Sequence, residues 1–162
     1  MRNCVLALGA VAFVGSMVLG ALILPERVAS HFGLYGQANG WMRKEADLLF
    51  LGGVGIGLPL FIVGLTYVTR FFPDSMFNLP HKEYWLAPER RQQTVNFIFQ
   101  HSLWMAGLMQ LFLSWVNFLT IMANKGPSAR LPMAAFVIGF VAFLIAIGFW
   151  MARLIRHFYR PA

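Results

Sequence analysis

Four apolar stretches, each about as long as a bilayer is thick, constrain this chain more than any other feature. Crossing a hydrocarbon layer of about 30 Å takes roughly 20 residues at 1.5 Å each. The first stretch covers 4–24, with Cys4 and Ser16 as its only polar side chains. The second covers 48–69 and is bounded by Asp47 and Arg70; the fourth, 133–155, carries no charge until Arg153. Between them a third apolar segment reaches residue 122 but holds Gln100, His101, Gln110 and Asn117. A soluble fold has no room for such segments. The chain is 59% hydrophobic and 12% charged, against about 45–50% and about 25% in soluble domains.

The expected fold is therefore an all-α membrane protein, a single polytopic domain over 1–162 with four transmembrane helices and both termini cytoplasmic. Its helices are expected at 4–24, 48–69, 88–122 and 133–155, with an outer loop at 25–46 and a cytoplasmic loop at 70–87. Arg2 before the first apolar run resembles the start of a signal peptide. That run exceeds the usual h-region of about 7–15 residues and no small-residue cleavage site follows, so an uncleaved helix is expected.

Orientation comes from lysine and arginine. Arg2, Arg70, Lys82, Arg90, Arg91, Arg153, Arg156 and Arg160 put eight on the side of the termini, against five on the other, Arg27, Arg43, Lys44, Lys125 and Arg130. The positive-inside rule assigns the richer side to the cytoplasm, and the expected location is the bacterial inner membrane. The net charge of +7 fits attraction to anionic headgroups, and no nucleic-acid-binding module accompanies it.

The helices differ in character. Small residues recur on one face of the first (Gly9, Ala12, Ser16, Gly20) and of the fourth (Ala135, Gly139, Ala142, Ala146), the usual sign of close helix packing. These stripes leave homo-oligomerisation open. Gly52, Gly53, Gly55, Gly57 and Gly64 surround Pro59 in the second, which predicts a kink or hinge, read either as close packing or as a broken helix lining a path. The third helix should start at Pro88 with Glu89 in its first turn. From there to Met122 it would extend about 52 Å and project into the cytoplasm.

Along this third helix Gln93, Asn96, Gln100, Leu103, Gly107, Gln110, Ser114 and Asn117 recur at steps of three and four, and seven of these eight are polar or small. An unpaired amide in hydrocarbon costs several kcal/mol, on the order of a lost hydrogen bond or more, so the stripe must face the bundle. It serves either interhelical hydrogen bonds or a hydrated path.

In the outer loop, Pro25 ends the first helix, Gly33 and Gly36 permit positive φ, and Asn39-Gly40 predicts a tight turn. A compact ordered cap is expected, with Tyr35 and Trp41 at the aromatic belt. The order Leu24-Pro25, His31-Phe32, Gly36, Asn39-Gly40-Trp41 resembles the extracytoplasmic loop of the domain of unknown function family 1648, over the first third of the chain. That domain also occurs in bacterial immunity proteins of the Sdp type, which protect a cell from a secreted killing peptide and help to signal its presence. The resemblance implies a sensing or immunity role centred on the loop, with Pro25, His31, Gly36, Asn39, Gly40 and Trp41 at the motif positions; His31, Asn39 and Trp41, together with Tyr35 of the same loop, are the candidate ligand residues.

Catalytic and metal-binding constellations are not apparent. His31, His81, His101 and His157 fall in separate segments, unlike the close spacing of a zinc site. Ser30 and His31 are neighbours in sequence, which says little about the geometry of a nucleophile and its base. No Asp or Glu lies inside a span, which argues against a pump built on buried carboxylates. No cofactor is expected, and the protein reads as a non-enzyme. In the 70–87 loop and just beyond it, Glu83, Trp85, Glu89, Arg90 and Arg91 form either a headgroup anchor or a docking surface for a membrane or cytoplasmic partner. The leading expectation is sensing, immunity or signal relay through the outer loop. The alternatives are a small-solute transporter or channel, and an accessory subunit of a membrane complex.

Overall fold

A computed structural model describes residues 2–159, with side chains from residue 4 to residue 159. Arg160, counted above for orientation, lies outside the described residues. The chain runs as α1 (Arg2–Ile23), β1 (Arg27–Phe32), β2 (Ala38–Arg43), α2 (Lys44–Gly52), a π turn (Gly53–Gly57), α3 (Leu58–Val68), α4 (Lys82–Trp85), α5 (Pro88–Lys125) and α6 (Met133–Tyr159). Four helices are long and apolar enough to cross a membrane: Cys4–Ile23, Lys44–Phe71, Pro88–Lys125 and Met133–Tyr159. The expectation of four spans is met, with ends shifted by a few residues.

Helix α5 is the hub. It begins with Pro88 in its first turn and Glu89 beside it, and ends with Lys125 in the last turn, each charge opposing the partial charge of its helix end. Helices α1, α3 and α6 all pack on it. Alongside α1 it approaches backbone to backbone. A Cβ placed on Gly107 would lie 2.7 Å from the Val5 carbonyl oxygen, and one on Gly9 would lie 2.5 Å from the Gly107 oxygen. Further along the same seam, Asn117 Nδ2 donates to the Ser16 backbone oxygen at 2.9 Å. Against α6, His101 Nε2 meets the Trp150 carbonyl at 2.9 Å while Trp150 Nε1 donates to the His101 carbonyl at 2.9 Å.

The all-α expectation needs one correction. The outer loop contains an antiparallel two-stranded hairpin, with Arg27 opposite Arg43 and Ala29 opposite Trp41. Its ladder leads straight into the second span, since Lys44 N donates to the Glu26 oxygen at 2.9 Å. The predicted tight turn at Asn39-Gly40 is also corrected, because both residues lie in β2. The turn instead occupies 33–37, where Gly36 adopts φ 81° and Gly33 N donates to the Gln37 oxygen at 2.8 Å. Gly40 is opposite His31 at a bulge, and a Cβ there would lie 2.8 Å from the His31 Cβ. Its glycine therefore serves cross-strand approach rather than a turn.

The irregularity expected near Pro59 is a single π turn just ahead of it. Proline has no N–H, so residue 59 cannot donate to the Gly55 carbonyl in the α pattern. Gln110 Nε2 of α5 donates to that carbonyl at 3.3 Å. Gly55 itself is buried against the ring of Phe13, which occupies the space a side chain would need. Close packing is thus met at Gly55, where Gln110 also repairs the backbone defect, whereas Gly53, Gly57 and Gly64 face open space.

The start of α5 does not stand free. Phe77, Leu86 and Val95 form a small core with Phe72, Leu79 and Ile98. Trp85 Nε1 donates to the Phe158 oxygen at 3.0 Å and Thr94 Oγ1 to the Trp85 oxygen at 2.7 Å. The 70–87 loop is folded against the ends of α5 and α6.

Candidate functional site beneath the hairpin

The hairpin is held over the bundle at three points. The side-chain amide of Asn124, in the last turns of α5, accepts from Ala29 N at 2.8 Å and donates to the Ala29 oxygen at 3.0 Å. Leu131 N, in the connection between α5 and α6, donates to the Gly36 oxygen at 2.8 Å. Val28, Leu24 and Ile121 form an apolar cluster with Leu48 below the strands. Val28 and Ala29 are fully buried, so β1 is wedged against α5 rather than lying on the surface.

Between the hairpin and the helices lies a cavity of about 150 Å³, enough for about five waters at their liquid volume of roughly 30 Å³ each. Ser30 and His31 of β1, Asp47 of α2, and Asn117 and Thr120 of α5 give it polar groups. Met42, Phe50, Leu51 and Val116 supply apolar wall. Asp47 is buried, and Asn117 is 1% exposed. Among the described residues, Asn117 Oδ1 accepts no hydrogen bond, and an unmet buried acceptor costs about 1–3 kcal/mol. Thr120 Oγ1 spends its proton on the Val116 oxygen at 3.1 Å. The acceptors that the wall offers are the Asp47 carboxyl and the Thr120 hydroxyl oxygen, which suits a group that brings N–H or O–H donors. Ser30 Oγ and His31 Nδ1 are 3.1 Å apart, so this ring nitrogen is engaged locally.

The other expected loop residues do not converge on the cavity. Trp41 lines a separate outer groove with Glu26, Arg27, Met42, Arg43 and Glu45, and the Arg27 guanidinium sits 5.9 Å from its ring centroid. Tyr35 is at the exposed turn, where its carbonyl accepts from Arg130 Nε at 3.3 Å. Asn39 is exposed on β2. Sequence reasoning missed Asp47 as a site residue because it read as a span boundary. It missed Asn124 because the polar stripe was taken to end at Asn117.

That stripe divides into two parts. Gly107, Gln110, Ser114 and Asn117 lie in the bundle; the amide nitrogens of Gln110 and Asn117 donate across helices while, among the described residues, their amide oxygens accept no hydrogen bond, and Ser114 Oγ donates back to the Gln110 oxygen of its own helix at 2.6 Å. Gln93 and Asn96 are exposed near the start of α5, where Gln92 Nε2 donates to Asn96 Oδ1 at 3.1 Å, and Gln100 is half-buried. The candidate docking cluster splits as well. Arg91 donates to Asp74 Oδ1 at 3.0 Å, to the Arg70 oxygen at 3.2 Å and to the Phe72 oxygen at 2.6 Å, stapling the loop. Arg90 stacks on Tyr84, its guanidinium carbon 4.1 Å from the ring centroid. Glu83 and Glu89 are exposed. No group of three metal-ligating side chains occurs among the described residues.

Fold and cavity together define a multi-pass, mostly helical protein of membrane-spanning character, with an ordered hairpin capping one end. Residues 5–56 match the family model described as Domain of unknown function (DUF1648). No curated protein and no solved structure matches the chain. The matched segment supplies α1, the hairpin, α2 and most of the π turn, and hence one wall of the cavity. The opposite wall, Val116, Asn117 and Thr120, comes from α5 and lies outside the match.

Proposed function

We propose that this is a non-enzymatic sensor of the bacterial cytoplasmic membrane, with the hairpin outside and both termini and the 70–87 loop inside. The hairpin and the cavity beneath it receive a donor-bearing group of an external ligand, and α5 relays the event to the folded loop at the other end. The observation that carries this reading is the two-point clamp of Asn124 on Ala29. Through it the hairpin is fixed to one helix of 38 residues, about 57 Å long, whose first turn lies against α4. The basic-residue asymmetry supports the orientation. Immunity to a secreted peptide is the form suggested by the Sdp-type resemblance, although the arginine-threonine-proline-tryptophan motif of those proteins is missing from this sequence.

The transport reading is weaker, since Gly107, Gln110 and Asn117 are used in helix-to-helix contacts. A labelling experiment tests the relay. In a Cys4→Ser background with a reporter Glu83→Cys, breaking the clamp with Asn124→Ala should change the maleimide labelling rate several-fold, while an exposed substitution on α6 such as Val141→Ala should not. An unchanged rate for Asn124→Ala would remove the relay.

A further inference from the structure

At the end of the bundle opposite the hairpin, α4, α5 and α6 border a cleft of about 780 Å³. Its rim carries Arg90 from the start of α5 and Arg153 and Arg156 from the end of α6, with Gln93 and His157 beside them. Its floor is aromatic, built from Trp85, Phe97, Trp104 and Phe149. No Asp or Glu lines the cleft. Among the described residues none of the three arginines is ion-paired; the two ion pairs are Arg43 with Glu45 and Arg91 with Asp74. Arg90 is fixed over the Tyr84 ring, a contact that orients the cation without neutralising it. The contrast with Arg91, whose donors are spent on the loop, sets Arg90 apart.

The depth of the cleft matters as much as its charge. From Met133 to Arg153 a helix rises about 30 Å, the thickness of the hydrocarbon layer. Arg153 and Arg156 therefore stand at headgroup level, and Phe149, 70% exposed, faces the acyl region just below. The rim thus presents unneutralised guanidinium groups where lipid phosphates lie, and the floor continues onto the lipid-facing side of α6.

We propose that this cleft binds one anionic phospholipid of the leaflet opposite the hairpin, its phosphate held by Arg90, Arg153 and Arg156 and an acyl chain laid along Phe149 and Trp104. A free phosphate would use the rim alone; a phospholipid uses rim and floor together. Guanidinium groups suit the task because their planar donors pair with phosphate oxygens two at a time. The bound lipid would bridge α5 and α6 at the folded end of the 70–87 loop.

Native mass spectrometry of the full chain in non-ionic detergent, titrated with phosphatidylglycerol or phosphatidylcholine, tests the proposal. One phosphatidylglycerol should be retained in preference to phosphatidylcholine. Arg90→Gln/Arg153→Gln/Arg156→Gln should weaken that retention by roughly a hundredfold, about fivefold for each arginine near an anionic headgroup. Arg27→Gln/Arg43→Gln on the hairpin should leave it unchanged. If the triple variant does not fold, Arg156→Gln alone, an exposed side chain, should still show a loss of about fivefold. Equal retention of the two lipids, undiminished retention in the variants, or displacement of phosphatidylglycerol by millimolar inorganic phosphate would each overturn it.

Discussion

Asn124 holds Ala29 by both of its backbone groups, accepting from the nitrogen at 2.8 Å and donating to the oxygen at 3.0 Å across 95 residues of sequence. The side chain completes the edge of β1 as a neighbouring strand would, and it does so from the last turns of α5. Asn124→Leu should therefore leave the buried Ala29 N–H and carbonyl unpaired, at a cost of about 1–3 kcal/mol for each. Unfolding in mixed detergent micelles should register the loss, and limited proteolysis should find new cleavage within 27–43.

The contact between α1 and α5 leaves no room for side chains at its centre. Gly107→Val should push the helices apart and destabilise the bundle by about 1–3 kcal/mol, the usual cost of overpacking. Gly15→Ala and Gly148→Ala face open space and should unfold close to wild type under the same conditions. Equal effects at all three positions would count against the backbone contact.

Gln110 and Pro59 should prove coupled. Gln110→Leu takes the side-chain donor from the Gly55 carbonyl and should cost about 1 kcal/mol, in the range of hydrogen bonds between membrane helices. Pro59→Ala returns a backbone N–H to position 59, so in that background the same change should cost less. A double-mutant cycle reads the difference directly; strict additivity would mean that Gln110 does not serve the defect at proline.

The proposed orientation has its own check. With Cys4→Ser, a single cysteine at Glu83 should be protected from an impermeant maleimide in intact cells and react after permeabilisation. One at Ser128, in the connection between α5 and α6, should react in both. The reverse pattern would invert the topology and with it the sensing direction.

The loops show where reading the sequence stops. In the sequence Asn39-Gly40 carries the tight-turn signal and Gly36 only the freedom for positive φ, yet the turn forms at 33–37. The choice fell to Gly36 because its carbonyl must meet Leu131 N and a Cβ there would collide with the Leu131 carbonyl. Gly40 is required by the His31 side chain across the ladder. Likewise Arg90 and Arg91 are identical in sequence context, yet one staples the loop and the other faces a cleft completed by α6.

What the sequence by itself determined is local: four apolar helices of spanning length, the long third helix starting at Pro88, and the part of its polar stripe from Gly107 to Asn117 that faces inward, whereas Gln93 and Asn96 stay exposed. Length, hydropathy and helical period are properties of a segment and its solvent, so they can be read without knowing the partners. Tertiary structure decided what the polar groups meet. His31 and Asp47 share a cavity with Asn117, and Arg90 shares a cleft with Arg153 and Arg156, because helices distant in the chain pack side by side. Those meetings depend on the close approach of α1 and α5 at Gly9 and Gly107 and on the reciprocal His101–Trp150 bonds, which no single segment encodes.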